Sequence, residues 1–246
     1  MYVLQSSQRG TDRRQKVIGS PLCQGERVPS HSDAERKALA DALAQAGPDA
    51  PTLCTGWTTT DLAAHLVTRE HRLDTGPGII LPSGTPFGRW TERVQAQYAR
   101  KPFDQLVARF AEGPSRLSWA RLPGVDARVN LLEHLVHCED VRRAQPGWEP
   151  RDLPAERQRA IWRSITQTGR MLLRRSPVPV RFTTPDGDTH QVISRPSAGG
   201  SGQGIDIIGA PAELAFYTFG RREHARVELA GPAASRELFE RVDLAF

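Results

Sequence analysis

Apolar residues recur at helical spacing through the first two thirds of the chain. In the first such segment, Ser32 followed by Glu35 has the pattern of a capping box. Ala and Leu residues then recur every three or four positions until a Gly-Pro pair beginning at Gly47 ends the predicted helix. The second helix is predicted to begin at Thr58, which has Asp61 three residues later, and to extend to about residue 73.

Four further helical segments follow a Gly/Pro-rich loop. Pro102 is expected at the first position of one of them, where its missing N–H has no cost. We predict one broken helix or two over about 88–100 and 102–112, a helix from Asp126 to just before Pro146, and another from Asp152 or Pro154 to about Arg175.

The pattern of apolar residues changes after Pro177, where short β-like runs replace the helical spacing. Two of these runs flank the segment Pro185–Gly187, which is the pattern of a hairpin. A Gly/Ser-rich loop, a strand, a short helix, a strand and a last helix are predicted after it. We therefore expect an α+β protein, in which an antiparallel four-helix bundle over 32–175 precedes a small α+β domain over 177–246.

Residues 1–31 show no periodicity and are rich in Ser, Gly, Arg and Gln, which predicts a disordered tail or a start assigned too far upstream. This segment has five basic and two acidic residues, so it contributes +3 of the net charge of +5. The rest of the chain is nearly neutral and lacks a basic stripe with interspersed aromatics, which argues against nucleic-acid binding.

Cysteine usage and hydropathy predict the compartment. The three cysteines are widely spaced, which favours a reducing environment over a disulfide framework. No apolar run approaches the roughly 18 residues of a membrane span, and no apolar segment of a signal peptide follows the basic residues at the N-terminus. A cytoplasmic protein without membrane contact is therefore expected.

The segment NLLEHLVHCEDVRRA, residues 130–144, has an unusual density of His, Cys and acidic residues. On a helix with about 100° per residue, Glu133, His137 and Asp140 lie within roughly 60° of one another. His134 lies about 100° from the Glu133 direction, and Cys138 about 140° away, so Cys138 is expected in the core. Helical phase thus divides the segment into one polar face and one apolar face.

Glu133 and His137 are four residues apart, so both side chains can reach one point. Imidazole nitrogen and carboxylate oxygen are suitable ligands for Zn²⁺ and other first-row divalent ions. A third ligand would have to come from another helix, and His65, mid-helix between Leu62 and Leu66, is the best candidate. A core histidine with a satisfied hydrogen bond, or a solvated Glu–His pair, would give the same pattern, so spacing alone leaves these alternatives open.

Three segments together resemble a known group: GPDAPTLCTGWTTTDLAAHLVTRE, VNLLEHLVHCEDVRRAQPGW, and GAPAELAFYTFGR with the later VELAG. They are similar to the mycothiol-dependent maleylpyruvate isomerase superfamily, a branch of the DinB-like metal-binding four-helix bundles. The likeness is greatest to an actinobacterial subfamily described only as metal-binding, and it extends over about residues 33–246. Few lysines among many arginines agree with a GC-rich source.

The resemblance implies a metal, usually zinc, bound by His65, Glu133 and His137. Asp140 would be a hydrogen-bonding partner behind a ligand or a fourth, weaker ligand; alternatively it pairs with Arg69 or Arg143. Three protein ligands leave one coordination position open, as in catalytic sites. In the family this position can bind a low-molecular-weight thiol, here mycothiol as cosubstrate, as a thiolate nucleophile.

The expected function is therefore that of a divalent-metal-binding protein, a mycothiol-dependent isomerase or thiol transferase acting on a small-molecule substrate. The alternative is a non-enzymatic metal-binding or small-molecule-sequestering module, because fold does not fix function. Arg221 and Arg222 could bind a substrate carboxylate through a guanidinium fork, or be a solvated pair at a helix end. The role of Cys54 and the oligomeric state are left open by the sequence.

Overall fold

The computed structural model describes residues 30–72, 85–115, 118, 126–194 and 203–242. Within these residues it has eight α-helices and one four-stranded sheet, which confirms the predicted α+β class. The helices are α1 (His31–Ala46), α2 (Thr59–His71), α3 (Pro86–Tyr98), α4 (Phe103–Ala111), α5 (Leu131–Arg142), α6 (Ala155–Leu172), α7 (Pro211–Thr218) and α8 (Ala233–Glu240). The strands are β1 (Val180–Thr183), β2 (Thr189–Ile193), β3 (Ile205–Ile208) and β4 (Glu228–Ala230).

The capping box of α1 lies two residues before the predicted one. The Ser30 hydroxyl accepts a hydrogen bond from the Asp33 backbone N–H (3.1 Å), and the Asp33 carboxylate accepts one from the Ser30 N–H (3.0 Å). The expected pair, Ser32 and Glu35, is wrong as a cap because both side chains are buried and bind groups on other segments. Two overlapping boxes exist in the sequence, and tertiary packing selects the first.

The other helix starts agree more closely with the sequence pattern. Thr58 and Asp61 form the predicted capping box of α2. Pro102 is the N-cap of α4 rather than its first residue, and a π-helical turn over Asp126–Asn130 precedes α5 at the predicted start. The predicted tail over 1–31 extends two residues too far, because Ser30 and His31 belong to the start of α1. Residues 1–29, most of the predicted loop after α2 and most of the predicted Gly/Ser-rich loop fall outside the described residues.

Helix α5 is buried on two sides, between two hydrophobic cores. Its Cys138 and Val141 pack in a core with apolar residues of α1, α2 and α4. Its Leu131, Leu132 and Leu135 pack in a second core with α6, α7, α8 and the sheet. A helix that is buried around most of its circumference has little amphipathic character, and its buried residues include the polar His134, Glu139 and Asp140.

The sheet has the order β2-β1-β3-β4. Strands β1 and β2 form the predicted antiparallel hairpin, β1 and β3 are parallel, and β3 and β4 are antiparallel. Val180, Phe182, Ile205 and Ile207 are buried in the core shared with α6. Helix α6, which the sequence pattern assigns to the bundle, therefore packs against the C-terminal sheet, and the division into two domains stays a prediction.

Close approach of α6 to the sheet depends on Gly169. A Cβ atom added there would lie 3.0 Å from Phe182 Cε2 and 3.1 Å from Val192 Cγ1.

No helix among the described residues combines the length and apolar character needed to cross a bilayer.

We expect Gly169→Val to destabilise the protein by about 1–3 kcal/mol, because the new side chain overpacks the contact between α6 and the sheet. Valine has a higher helix propensity than glycine, so propensity alone predicts the opposite sign. Denaturant unfolding measures the change, and Met171→Val, at a position 59% exposed on the same helix, is the control. Equal stability of the wild type and Gly169→Val would contradict this packing.

Candidate metal centre

Two helices bring the three predicted ligands to one point. His65 lies on α2, and Glu133 and His137 lie one turn apart on α5. Glu133 Oε1 is 3.5 Å from His65 Nε2 and 3.3 Å from His137 Nε2. One nitrogen or oxygen atom from each of the three residues lies within 4.8 Å of the others. The structure therefore places together residues that are nearly seventy positions apart in sequence.

The spacing of these atoms suits a tetrahedral metal. Zn–N and Zn–O bonds of about 2.0–2.2 Å at tetrahedral angles give ligand-to-ligand distances of roughly 3.3–3.6 Å. The distances of 3.3 and 3.5 Å from Glu133 to the two imidazoles lie in that range. The side chains of His65, Glu133 and His137 are 17%, 20% and 12% exposed, so solvent and small molecules can reach the group.

Each imidazole has a hydrogen-bonding partner on the side away from Glu133. His137 Nδ1 is 2.9 Å from Asp140 Oδ2, and His65 Nδ1 is 3.4 Å from Gln95 Oε1 on α3. Both partner atoms are hydrogen-bond acceptors, so a proton on Nδ1 of each ring satisfies them and leaves Nε2, the atom next to Glu133, for a metal. Metal-binding histidines usually have such a partner, which fixes tautomer and ring orientation.

Glu133 is held in its ionised form by its neighbours. Burial alone would raise the pKa of Glu133, but the charge of Arg69 and the hydrogen bonds of His137 and His65 outweigh it and keep the pKa well below its usual value. Arg69 is 2% exposed, and its Nε lies 3.4 Å from Glu133 Oε1 while its Nη1 donates to Asn130 Oδ1 (2.9 Å). The carboxylate is therefore in the form that binds a cation.

A second group of possible ligands, Cys54, His137 and Asp140, lies on the opposite side of the His137 ring. Cys54 Sγ donates to Asp140 Oδ2 (3.2 Å) and is 3.8 Å from His137 Nδ1. Asp140 already binds Arg221, whose Nε and Nη2 donate hydrogen bonds to its two carboxylate oxygens at 2.8 and 2.7 Å. Both oxygens of Asp140 are thus taken by short hydrogen bonds from Arg221, whereas Arg69 Nε lies 3.4 Å from Glu133 Oε1, and this difference favours the first group as the metal site.

Asp140 pairs with Arg221, and not with Arg69 or Arg143, which were the partners considered from the sequence. Burial would raise the pKa of Asp140, but the hydrogen bonds and charges of His137 and Arg221 lower it to about 2. Asp140 is therefore an anion behind His137 at neutral pH.

The two arginines proposed for a substrate carboxylate have different surroundings. The Arg221 fork is engaged with Asp140, and its Nη1 donates to the Phe219 carbonyl (2.6 Å). Arg222 donates to the Glu240 carbonyl (2.8 Å), and its guanidinium lies 4.9 Å from the centre of the Phe239 ring. The structure thus brings Arg221 to the ligands and places Arg222 against α8.

The remaining candidates lie where helical phase predicts. Cys138 is fully buried, and desolvation raises the pKa of its thiol to about 12, in keeping with a core residue. His134 faces away from the ligands and binds Glu70 through Nε2 (2.9 Å). Gln95 was not identified from the sequence, because its contact with His65 depends on how α3 packs on α2.

We expect Asp140→Asn to lower the free energy of unfolding of the metal-free protein at pH 7 by about 2 kcal/mol, from a pKa difference of roughly two units. A lowered pKa stabilises the fold above the unfolded value of 3.8, and this contribution is lost as pH falls through about 2. The difference from the wild type should therefore shrink towards zero between pH 4 and about 2 in denaturant titrations.

Asp206→Asn is the matched control, because Asp206 makes the same two-bonded contact with Arg181 at the surface. Such an exposed pair contributes about 0–1 kcal/mol. A loss in Asp140→Asn that is equally large at pH 7 and pH 2 would show that charge is not the cause.

Comparison with known proteins agrees with this architecture. Residues 30–78 match the family model "Mycothiol maleylpyruvate isomerase N-terminal domain". Two crystal structures, of a mycothiol-dependent maleylpyruvate isomerase and of a histidine-to-alanine mutant, superpose with a TM-score of 0.51 each, at 16% and 15% identity. Both matches cover 81% of this chain and 90% of the other chain.

No curated protein matches the chain by sequence at a significant level. The resemblance inferred from the sequence motifs is nevertheless confirmed at the level of the family: residues 30–78 match its N-terminal domain model, and the chain has the DinB-like fold of the maleylpyruvate isomerases.

Proposed function

We propose that this chain binds a divalent metal, most simply Zn²⁺, and uses it as a mycothiol-dependent isomerase or thiol transferase. The observation that supports this function best is the convergence of His65 Nε2, Glu133 Oε1 and His137 Nε2 at metal-ligand spacing. Likeness to the N-terminal domain of mycothiol maleylpyruvate isomerases supports the choice of thiol. The substrate would be a small electrophile, such as a conjugated keto acid.

His65, Glu133 and His137 would hold the metal, with Asp140 and Gln95 fixing the two rings from behind. A bound divalent metal with an open position supplies a Lewis acid that lowers the pKa of a thiol, and so provides a nucleophile at neutral pH. The protein residues contribute the orientation of the ligands and the charge around them.

The charges around the group favour an anionic partner. Arg69 neutralises Glu133 and Arg221 neutralises Asp140, and an imidazole that coordinates a metal is in its neutral form. A divalent ion therefore brings an excess of about two positive charges into a partly buried site. Thiolates and carboxylates are stabilised there because Coulomb interactions are stronger away from bulk water.

The position of Cys54 supports the enzyme over the sequestering module. Its sulfur lies on the Nδ1 side of His137, next to Asp140, and not on the Nε2 side. Among the residues described, none therefore adds a protein thiol to the His65, Glu133 and His137 group. An open coordination position is the arrangement of catalytic rather than structural zinc sites, and we therefore prefer the enzyme.

We expect the purified protein to bind about one divalent ion per chain, and His65→Ala or His137→Ala to lose it, because two ligands hold zinc poorly. Metal analysis after gel filtration measures the stoichiometry. His190→Ala, at an exposed position on β2, is the control and should keep the metal. Full stoichiometry in both ligand variants would contradict the proposed ligand set.

Thiol binding is tested with the cobalt-substituted protein. Mycothiol should give a sulfur-to-cobalt absorption band in the near ultraviolet, and its S-methyl derivative should not, because a thioether cannot form a thiolate. The metal-loaded protein should then convert maleylpyruvate, or conjugate mycothiol to electrophiles, only when the thiol is present. Absence of both the band and the turnover, in a protein that binds one metal, would favour the sequestering module.

A further inference from the structure

Arg221 is the only residue of the described C-terminal part that is seen to contact Asp140. It lies between α7 and α8, 81 positions after Asp140 in sequence. Its Nε and Nη2 donate to Oδ1 and Oδ2 at 2.8 and 2.7 Å, and its Nη1 donates to the Phe219 carbonyl at 2.6 Å. Two parallel bonds of this kind fix the plane of the carboxylate as well as its position.

Asp140 transmits this constraint to a metal ligand. Its side chain is fully buried, and its Oδ2 accepts from His137 Nδ1 at 2.9 Å. The backbone is held too, because the Asp140 carbonyl accepts from the Leu53 N–H (3.0 Å) in the loop that contains Cys54. Three segments of the chain thus meet at Asp140, and one of them is C-terminal.

We propose that Arg221 is a positioning residue for the metal centre: by holding Asp140 it fixes the ring of His137, so that docking of the C-terminal segment sets the affinity of the metal site. This inference rests on the proposed metal binding by His65, Glu133 and His137. In this role Arg221 does not bind a substrate carboxylate, because its guanidinium would have to leave Asp140 to do so.

The coupling works in both directions. If docking of Arg221 strengthens metal binding, metal binding strengthens the docking of the Arg221 segment by the same factor. The C-terminal part then acts on the metal without supplying a ligand, and any partner or substrate that draws Arg221 away from Asp140 weakens the hold on the metal.

The test compares zinc affinities by competition with a chromophoric chelator, using the full chain. Loss of a partner behind a metal-binding histidine commonly weakens binding 10–100-fold. That range applies to Asp140→Asn, and for Arg221→Gln, one contact further from the ring, we expect a loss of about tenfold. Arg221→Lys keeps the charge without the fork and should lose less. Arg181→Gln, which breaks the equivalent exposed contact with Asp206, should stay within about twofold of the wild type.

A double-mutant cycle separates positioning through Asp140 from a general effect on folding. Asp140→Asn with Arg221→Gln should bind zinc no more weakly than Asp140→Asn alone. Additive losses, or unchanged affinity in Arg221→Gln, would overturn the inference while leaving the proposed metal binding intact. A wild-type chain that binds no zinc would overturn the proposed function, and this inference with it.

Discussion

Charge compensation of two carboxylates on one helix is the interaction on which this structure depends. Glu133 and Asp140 lie on the same face of α5, between two hydrophobic cores. Asp140 is fully buried and Glu133 is 20% exposed, and removing the counter-charge of a buried carboxylate costs several kcal/mol. Each has an arginine from another segment, Arg69 on α2 and Arg221 after α7. His137 lies between the two carboxylates and contacts both. The same contacts that keep the fold together therefore orient the candidate ligands.

The geometry of a single helix was predictable from the sequence because it depends only on helical phase. That phase placed Glu133, His137 and Asp140 together and directed Cys138 to the core, where the structure has it. The choice of His65 needed more, since spacing alone also allowed an ordinary core histidine. Family resemblance favoured His65 as a ligand, and the structure brings its Nε2 within 3.5 Å of Glu133 Oε1.

The contacts between segments were not predictable in the same way. Gln95 reaches His65 only because α3 packs on α2, and the partner of Asp140 turned out to be Arg221 rather than Arg69 or Arg143. The sequence was also ambiguous where two capping patterns overlap, as at the start of α1. Because Ser32 is buried there, Ser30 is the N-cap. These outcomes depend on contacts between residues far apart in the chain, and the pattern of a single sequence does not show such contacts.

The central claim is that one metal binds to the Nε2 side of His137 and not to the group that contains Cys54. X-ray absorption at the zinc edge of the thiol-free, metal-loaded protein tests this most directly. The account predicts a shell of nitrogen and oxygen ligands at about 2.0–2.1 Å and no sulfur. A zinc–sulfur distance of about 2.3 Å would show a cysteine ligand, as the group that contains Cys54 would supply, and would contradict the assignment to His65, Glu133 and His137.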